Sequence, residues 1–144
     1  MAQHQYRLDL RTLQVRDFRR ELVATVLPDP EGGAIVQSSS GRFAMARSLV
    51  MSHVKSSGIY ETENQKLQWR PLSLWHGVYA WTLAEGPVAI RFVPSERESG
   101  RYLITVERPI ANEIRLIGLG AYLLKLTGPD FVAWTAIASG VNAT

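Results

Sequence analysis

The chain contains no cysteine. That excludes a disulfide framework, thiolate-ligated zinc, iron–sulfur clusters and any thiol nucleophile, and it fits a reducing compartment. The expected setting is cytoplasmic. Histidine is scarce too: there are three, His4, His53 and His76. No two have the i,i+4 spacing of a zincin helix, and no carboxylate joins them at facial-triad spacing, so no metal or cofactor is expected. A Gly-x-Ser-x-Gly elbow is missing, and the Ser38-Ser39-Ser40-Gly41 run lacks the lysine of a phosphate loop. Nor does one sign of charge dominate. With 16 basic and 13 acidic residues, the total names no partner, and clustering becomes the informative quantity.

Uninterrupted apolar runs are lacking as well. Leu116 to Gly140 is long enough to span a bilayer, but Lys125, Gly128-Pro129 and Asp130 break it. A charge there costs about 2.5–3.5 kcal/mol at the bilayer centre. The stretch reads as buried core, and no membrane association is expected. The opening MAQHQYRLDL shows no apolar run of signal-peptide type.

What the sequence does have is core. A hydrophobic fraction of 46% against 20% charged is that of an ordinary globular chain, and the length fits one domain over 1–144. Residues 67–108 are the most informative part. They hold Trp69, Trp75 and Trp81, three of the four tryptophans, in runs that alternate apolar and polar residues. Period two with turn residues between runs predicts an antiparallel meander with one buried face. Val88, Ile90 and Phe92 point one way and are answered by Tyr102, Ile104 and Val106 across the charged loop 95–100.

Before this meander the spacing reads differently. Tyr6, Leu8 and Leu10 alternate with charged residues and suggest a short first strand. Phe18, Leu22 and Val26, four apart after Asp17 as a cap, predict a helix over 16–27. Pro28-Asp29-Pro30 and Gly32-Gly33 end it. Phe43, Ala46, Leu49, Val50 and Val54 predict a second helix, capped by the Ser38–Gly41 run and closed at Ser57-Gly58. Residues 112–126 fit either a helix capped by Asn112 or a strand with a glycine bulge, since Gly118 and Gly120 each weaken a helix by about 1 kcal/mol relative to alanine. Asp130 caps a last element, with Phe131, Trp134 and Ile137 three apart.

The expected fold is therefore α+β: a mainly antiparallel curved sheet of about five strands with two N-terminal helices packed on one face. In element order it looks like the cone-shaped layout of nuclear-transport-factor-2-like domains.

Each candidate for chemistry has a plainer use beside it. Trp75, Tyr79 and Trp81 share parity, so without a bulge they form one aromatic row. Such a row is usually core, but under a sheet that curves away from its helices it lines a pocket for apolar ligands. His76, set among these aromatics with Glu61 or Glu63 nearby to orient it, suits acid–base work; its plainer role is to point to solvent or to bond a carbonyl at a strand kink. The serines of 37–62 suit caps better than anion binding. Arg7, Arg11, Arg16, Arg19 and Arg20 form the densest basic stretch. On a helix the last three would share a face that could meet phosphates, although a solvated face looks the same.

The leading function is a non-catalytic binding domain engaging an apolar or aromatic small molecule, or a protein partner, through a sheet-lined pocket or surface. The ligand-binding residues would be Trp75, His76, Tyr79, Trp81 and Glu61. A second copy of the chain, in a homodimer, is one candidate partner. The alternative is a small enzyme with a sheet-lined pocket and His76 as acid or base. Nucleic-acid binding through a basic first helix ranks third.

Overall fold

The computed structural model describes residues 4–29, 34–39, 41–45, 58–62, 65–73, 75–83 and 86–126. Among these, ten strands form one sheet, and a single helix follows them. The strands are β1 (His4–Asp9), β2 (Gln14–Asp17), β3 (Leu22–Pro28), β4 (Ala34–Ser38), β5 (Gly41–Met45), β6 (Gly58–Thr62), β7 (Gln65–Ser73), β8 (Val78–Leu83), β9 (Val88–Pro94) and β10 (Arg101–Val106). The helix is α1 (Glu113–Leu126).

The sheet order is β5-β4-β3-β2-β1-β10-β9-β8-β7-β6, antiparallel throughout. Two five-strand meanders are thus joined at their middle, where β1 pairs with β10 and Leu8 faces Tyr102. The hairpin of β9 and β10 sets Phe92 opposite Ile104, both fully buried. Register shifts at Val15/Arg16, Pro71/Ser73 and Trp81/Thr82 are the bulges that bend such a sheet.

Two glycines show how far it bends. A Cβ on Gly118 would lie 2.5 Å from Val36 of β4, and one on Gly120 would lie 2.6 Å from Phe92 of β9 and 2.9 Å from Trp69 of β7. Residues two apart on an α-helix point about 200° from each other. Strands β4 and β9 therefore contact opposite sides of α1, and the sheet curls around the helix. A helix enclosed in this way must be apolar on every side, and Leu116 to Lys125 are all buried. The Lys125 ammonium, in the last turn, donates to the Leu10 carbonyl at 3.2 Å. A cation in that position also favours the helix dipole.

This architecture overturns the expected α+β fold of about five strands with two N-terminal helices packed on one face. The likeness to nuclear-transport-factor-2-like domains, which rested on those helices coming first, goes with it. Residues 16–27 are strand, turn and strand. Phe18, Leu22 and Val26 do recur every four residues, yet a spacing of four is also two periods of a strand. Ala24 and Val26 fill the inward positions, while Phe18 stands in the turn, 74% exposed. Asp17 still caps, but it caps that turn: its Oδ1 accepts from the backbone N–H of Arg19 (2.8 Å) and Glu21 (3.0 Å). An aspartate offers the same local bonds to a turn as to a helix start.

Of the second expected helix, Phe43 lies on β5, and positions 46–57 fall outside the described residues, as does the element expected after Asp130. For 112–126 the outcome is a helix. Asn112 leads into it with a left-handed backbone (φ 61°), and its carbonyl accepts from Leu116 N–H at 3.0 Å. No helix among the described residues is long and apolar enough to cross a membrane.

Candidate functional site

Trp69 is the hub of the aromatic residues. It stacks on Tyr79 (ring centroids 5.5 Å apart, planes at 11°), tilts against Trp81 (5.3 Å, 59°) and meets Phe92 edge-on (5.0 Å, 79°). Trp81 is fully buried, and its indole N–H donates to the Leu116 carbonyl of α1 at 2.8 Å. These rings fill the space between the sheet and the helix. Two members of the expected row, Tyr79 and Trp81, are accordingly part of the core packing.

Trp75 lies elsewhere. Strand β7 ends at Ser73 and β8 begins at Val78, so residues 75–77 are a turn, and parity does not carry across it. Trp75 stands 92% exposed. His76 beside it is also exposed. Its backbone N–H donates to Ser73 Oγ (3.3 Å), and its Nδ1 lies 2.9 Å from the same hydroxyl, a local bond that closes the turn. Glu61 is on β6 in register with Lys66, at the far end of β7 from Ser73. Seven residues of strand separate the two ends by about 20 Å, so Glu61 and His76 do not meet. Glu63 lies outside the described residues.

The arginines singled out in the sequence are not on a helix. Arg7 is on β1, Arg16 on β2, and Arg19 and Arg20 are in the turn after β2. Period two nevertheless gathers them, because Arg7 and Arg16 sit directly opposite in the β1–β2 register and both are exposed. With Arg20 and Arg101 they line a groove of about 550 Å³ on the outer face of the sheet, which Asp9, Gln14 and Glu98 also border. Arg101 is engaged with Glu98 (3.1 Å) and Asp9 (3.8 Å), and Asp9 also meets Arg11 at 3.5 Å. Among the described residues, no carboxylate pairs with Arg7, Arg16 or Arg20. Arg16 Nη1 donates to the Arg20 carbonyl at 3.1 Å, which holds its guanidinium in place.

The helical reading of 16–27 hid this groove, since it put Arg16 beside Arg20 and away from Arg7. Asp9, Gln14, Glu98 and Arg101 were not singled out at all. Their signal is parity: once residues 4–9, 14–17 and 101–106 are strands, Arg7, Asp9, Arg16 and Arg101 all fall on the face opposite Leu8, Val15 and Ile104.

At the inner end of β1, the Tyr6 hydroxyl donates to Glu113 at 2.8 Å, and His4 Nδ1 lies 3.2 Å from both oxygens of that carboxylate. Burial, and after it the Glu113 carboxylate, hold the Tyr6 phenol well above the usual tyrosine range. Burial raises the Tyr102 phenol as well. Among the described residues, no three His, Asp or Glu side chains converge as metal ligands. The chain matches no family model, no curated protein and no solved structure.

Proposed function

We propose that this protein is a binding domain without a reaction of its own, and that it engages a partner protein through its outer surface with Trp75 as the anchor. The observation that carries this reading is the contrast among its tryptophans. Trp69 and Trp81 are buried, whereas Trp75 presents nearly its whole surface to solvent from a short turn. An exposed indole offers roughly 150–250 Å² of rigid contact area, and tryptophan leads the residues whose truncation costs an interface more than about 2 kcal/mol. Leu72, three residues earlier, is exposed as well.

An apolar small molecule held between sheet and helix has less support, because the rings of Trp69, Tyr79, Trp81 and Phe92 occupy that space. An enzyme using His76 has less support too, since the imidazole is exposed and tied to Ser73. The cysteine-free sequence supports a cytoplasmic setting. Quantitative co-purification tests the reading with wild type, Trp75→Ala and Trp75→Phe at matched melting temperatures. A partner, or a second copy of the chain, should be retained by wild type and largely by Trp75→Phe, and lost from Trp75→Ala. The same associated proteins at the same yield from all three would refute it.

A further inference from the structure

The groove bordered by β1, β2 and β10 is built against the stability of the fold at three positions. Arg7 and Arg16 face each other directly across two strands, where like charges are destabilising and an opposite charge would serve better. Arg20 has a left-handed backbone (φ 68°), a conformation in which glycine sits without strain and a long side chain does not. Among the described residues none of the three has a carboxylate to offset its charge. The geometry around them is nonetheless fixed. Asp17 holds the turn through Arg19 and Glu21, Arg20 N–H donates to the Asp17 carbonyl at 2.9 Å, and the Arg20 carbonyl holds Arg16. Three cations placed at a cost, with the Arg16 guanidinium and the Arg20 backbone held in position, are what an anion site requires.

The other half of the groove narrows the chemistry. Guanidinium forks match the geometry of phosphate oxygens. Asp9 and Glu98, their charge already partnered by Arg101 and Arg11, offer acceptor oxygens that, with Gln14, suit hydroxyl groups. Among the described residues no aromatic ring lines the groove, and they offer no stacking platform for nucleic-acid bases. Its volume is that of a small-molecule site. We infer that the groove binds a sugar phosphate, with the phosphate between Arg7, Arg16 and Arg20 and the sugar hydroxyls toward Asp9, Gln14 and Glu98.

Titration calorimetry at low ionic strength tests this with glucose 6-phosphate, ribose 5-phosphate, inorganic phosphate, glucose and a short single-stranded oligonucleotide. At least one sugar phosphate should bind about tenfold or more tighter than inorganic phosphate, and glucose should not bind. Losing one charge-assisted contact in Arg7→Gln or Arg16→Gln should weaken binding about tenfold or more. Arg20→Gly should weaken binding too while raising the melting temperature, and Arg7→Gln should not lower it. A purely structural arginine would show the reverse. Trp75→Ala should bind the sugar phosphate as wild type does, which separates this site from the partner surface. The inference is overturned if neither sugar phosphate binds below about 5 mM, if inorganic phosphate binds as tightly, if the oligonucleotide binds tighter, or if the arginine variants bind unchanged.

Discussion

Replacing Gly120 by alanine sets two effects of opposite sign against each other. Helix propensity favours the change by about 1 kcal/mol, since glycine is that much worse than alanine in a helix interior. Packing opposes it. The new methyl would lie 2.6 Å from Phe92 Cζ, 2.9 Å from Trp69 Cζ3 and 3.1 Å from Phe92 Cε1. Carbon atoms rest at about 3.5–4.0 Å, so a ring must move by about 1 Å. Neither ring is free to do so: Phe92 packs edge-on against Trp69, which is itself set against Tyr79 and Trp81, and Trp81 is bonded to the helix. Overpacking should therefore cost near the upper end of its usual range, about 3 kcal/mol, for a net loss of about 2 kcal/mol. The melting temperature should fall by roughly 4–8 °C in a chain of this size. Urea denaturation should show a lower midpoint at unchanged slope. Phe92→Leu in the Gly120→Ala background should recover part of the loss, as a coupling energy between touching residues. A Gly120→Ala variant as stable as wild type, or more stable, would refute the helix placement inside the curled sheet.

Phe92→Ala should destabilise by about 3–5 kcal/mol, and an unchanged denaturation midpoint would place Phe92 outside the core. Trp81→Phe removes the donor to the Leu116 carbonyl together with ring volume. It should cost about 2 kcal/mol, read by the same titration. The raised phenols of Tyr6 and Tyr102 contribute stability that is complete below the ordinary tyrosine value of 10.0. That contribution is lost as pH rises above it, because the unfolded chain then releases protons that the folded one keeps. Stability should fall in this alkaline range, and Tyr6→Phe should flatten the fall; an equally steep loss in Tyr6→Phe would assign it to other groups.

Period two was legible wherever the alternation was clean. Val88 to Phe92 and Tyr102 to Val106 read as a hairpin, and a hairpin is what they form. It was not legible where apolar residues happen to recur every four positions, as with Phe18, Leu22 and Val26, since both periods pass through those positions. Only Val15, Ala24 and the outward Arg16 separate the two readings. The helix 113–126 was ambiguous for a related reason. Gly118 and Gly120 argue against a helix on propensity, and the reason for them, strands pressing from both sides, lies in residues as far off in sequence as Val36. The aromatic row failed at one point. Trp75 shares parity with Tyr79 and Trp81, but the turn at 75–77 breaks the count, and parity has meaning only within a strand.

The place of α1 in the chain also has a consequence during synthesis. Ten strands are translated before the helix that fills their hollow, and the central pairing of β1 waits for β10, more than ninety residues later. At ribosomal speed, on the order of ten seconds separate the emergence of Asp9 from that of Leu126. During that interval Leu8, Trp69 and Phe92 have no interior to enter. The early strands also have unpaired edges, the features that recruit chaperones or lead to aggregation. A nascent chain stalled before residue 113 should remain protease-sensitive as a whole, and protection should appear all at once when α1 clears the exit tunnel.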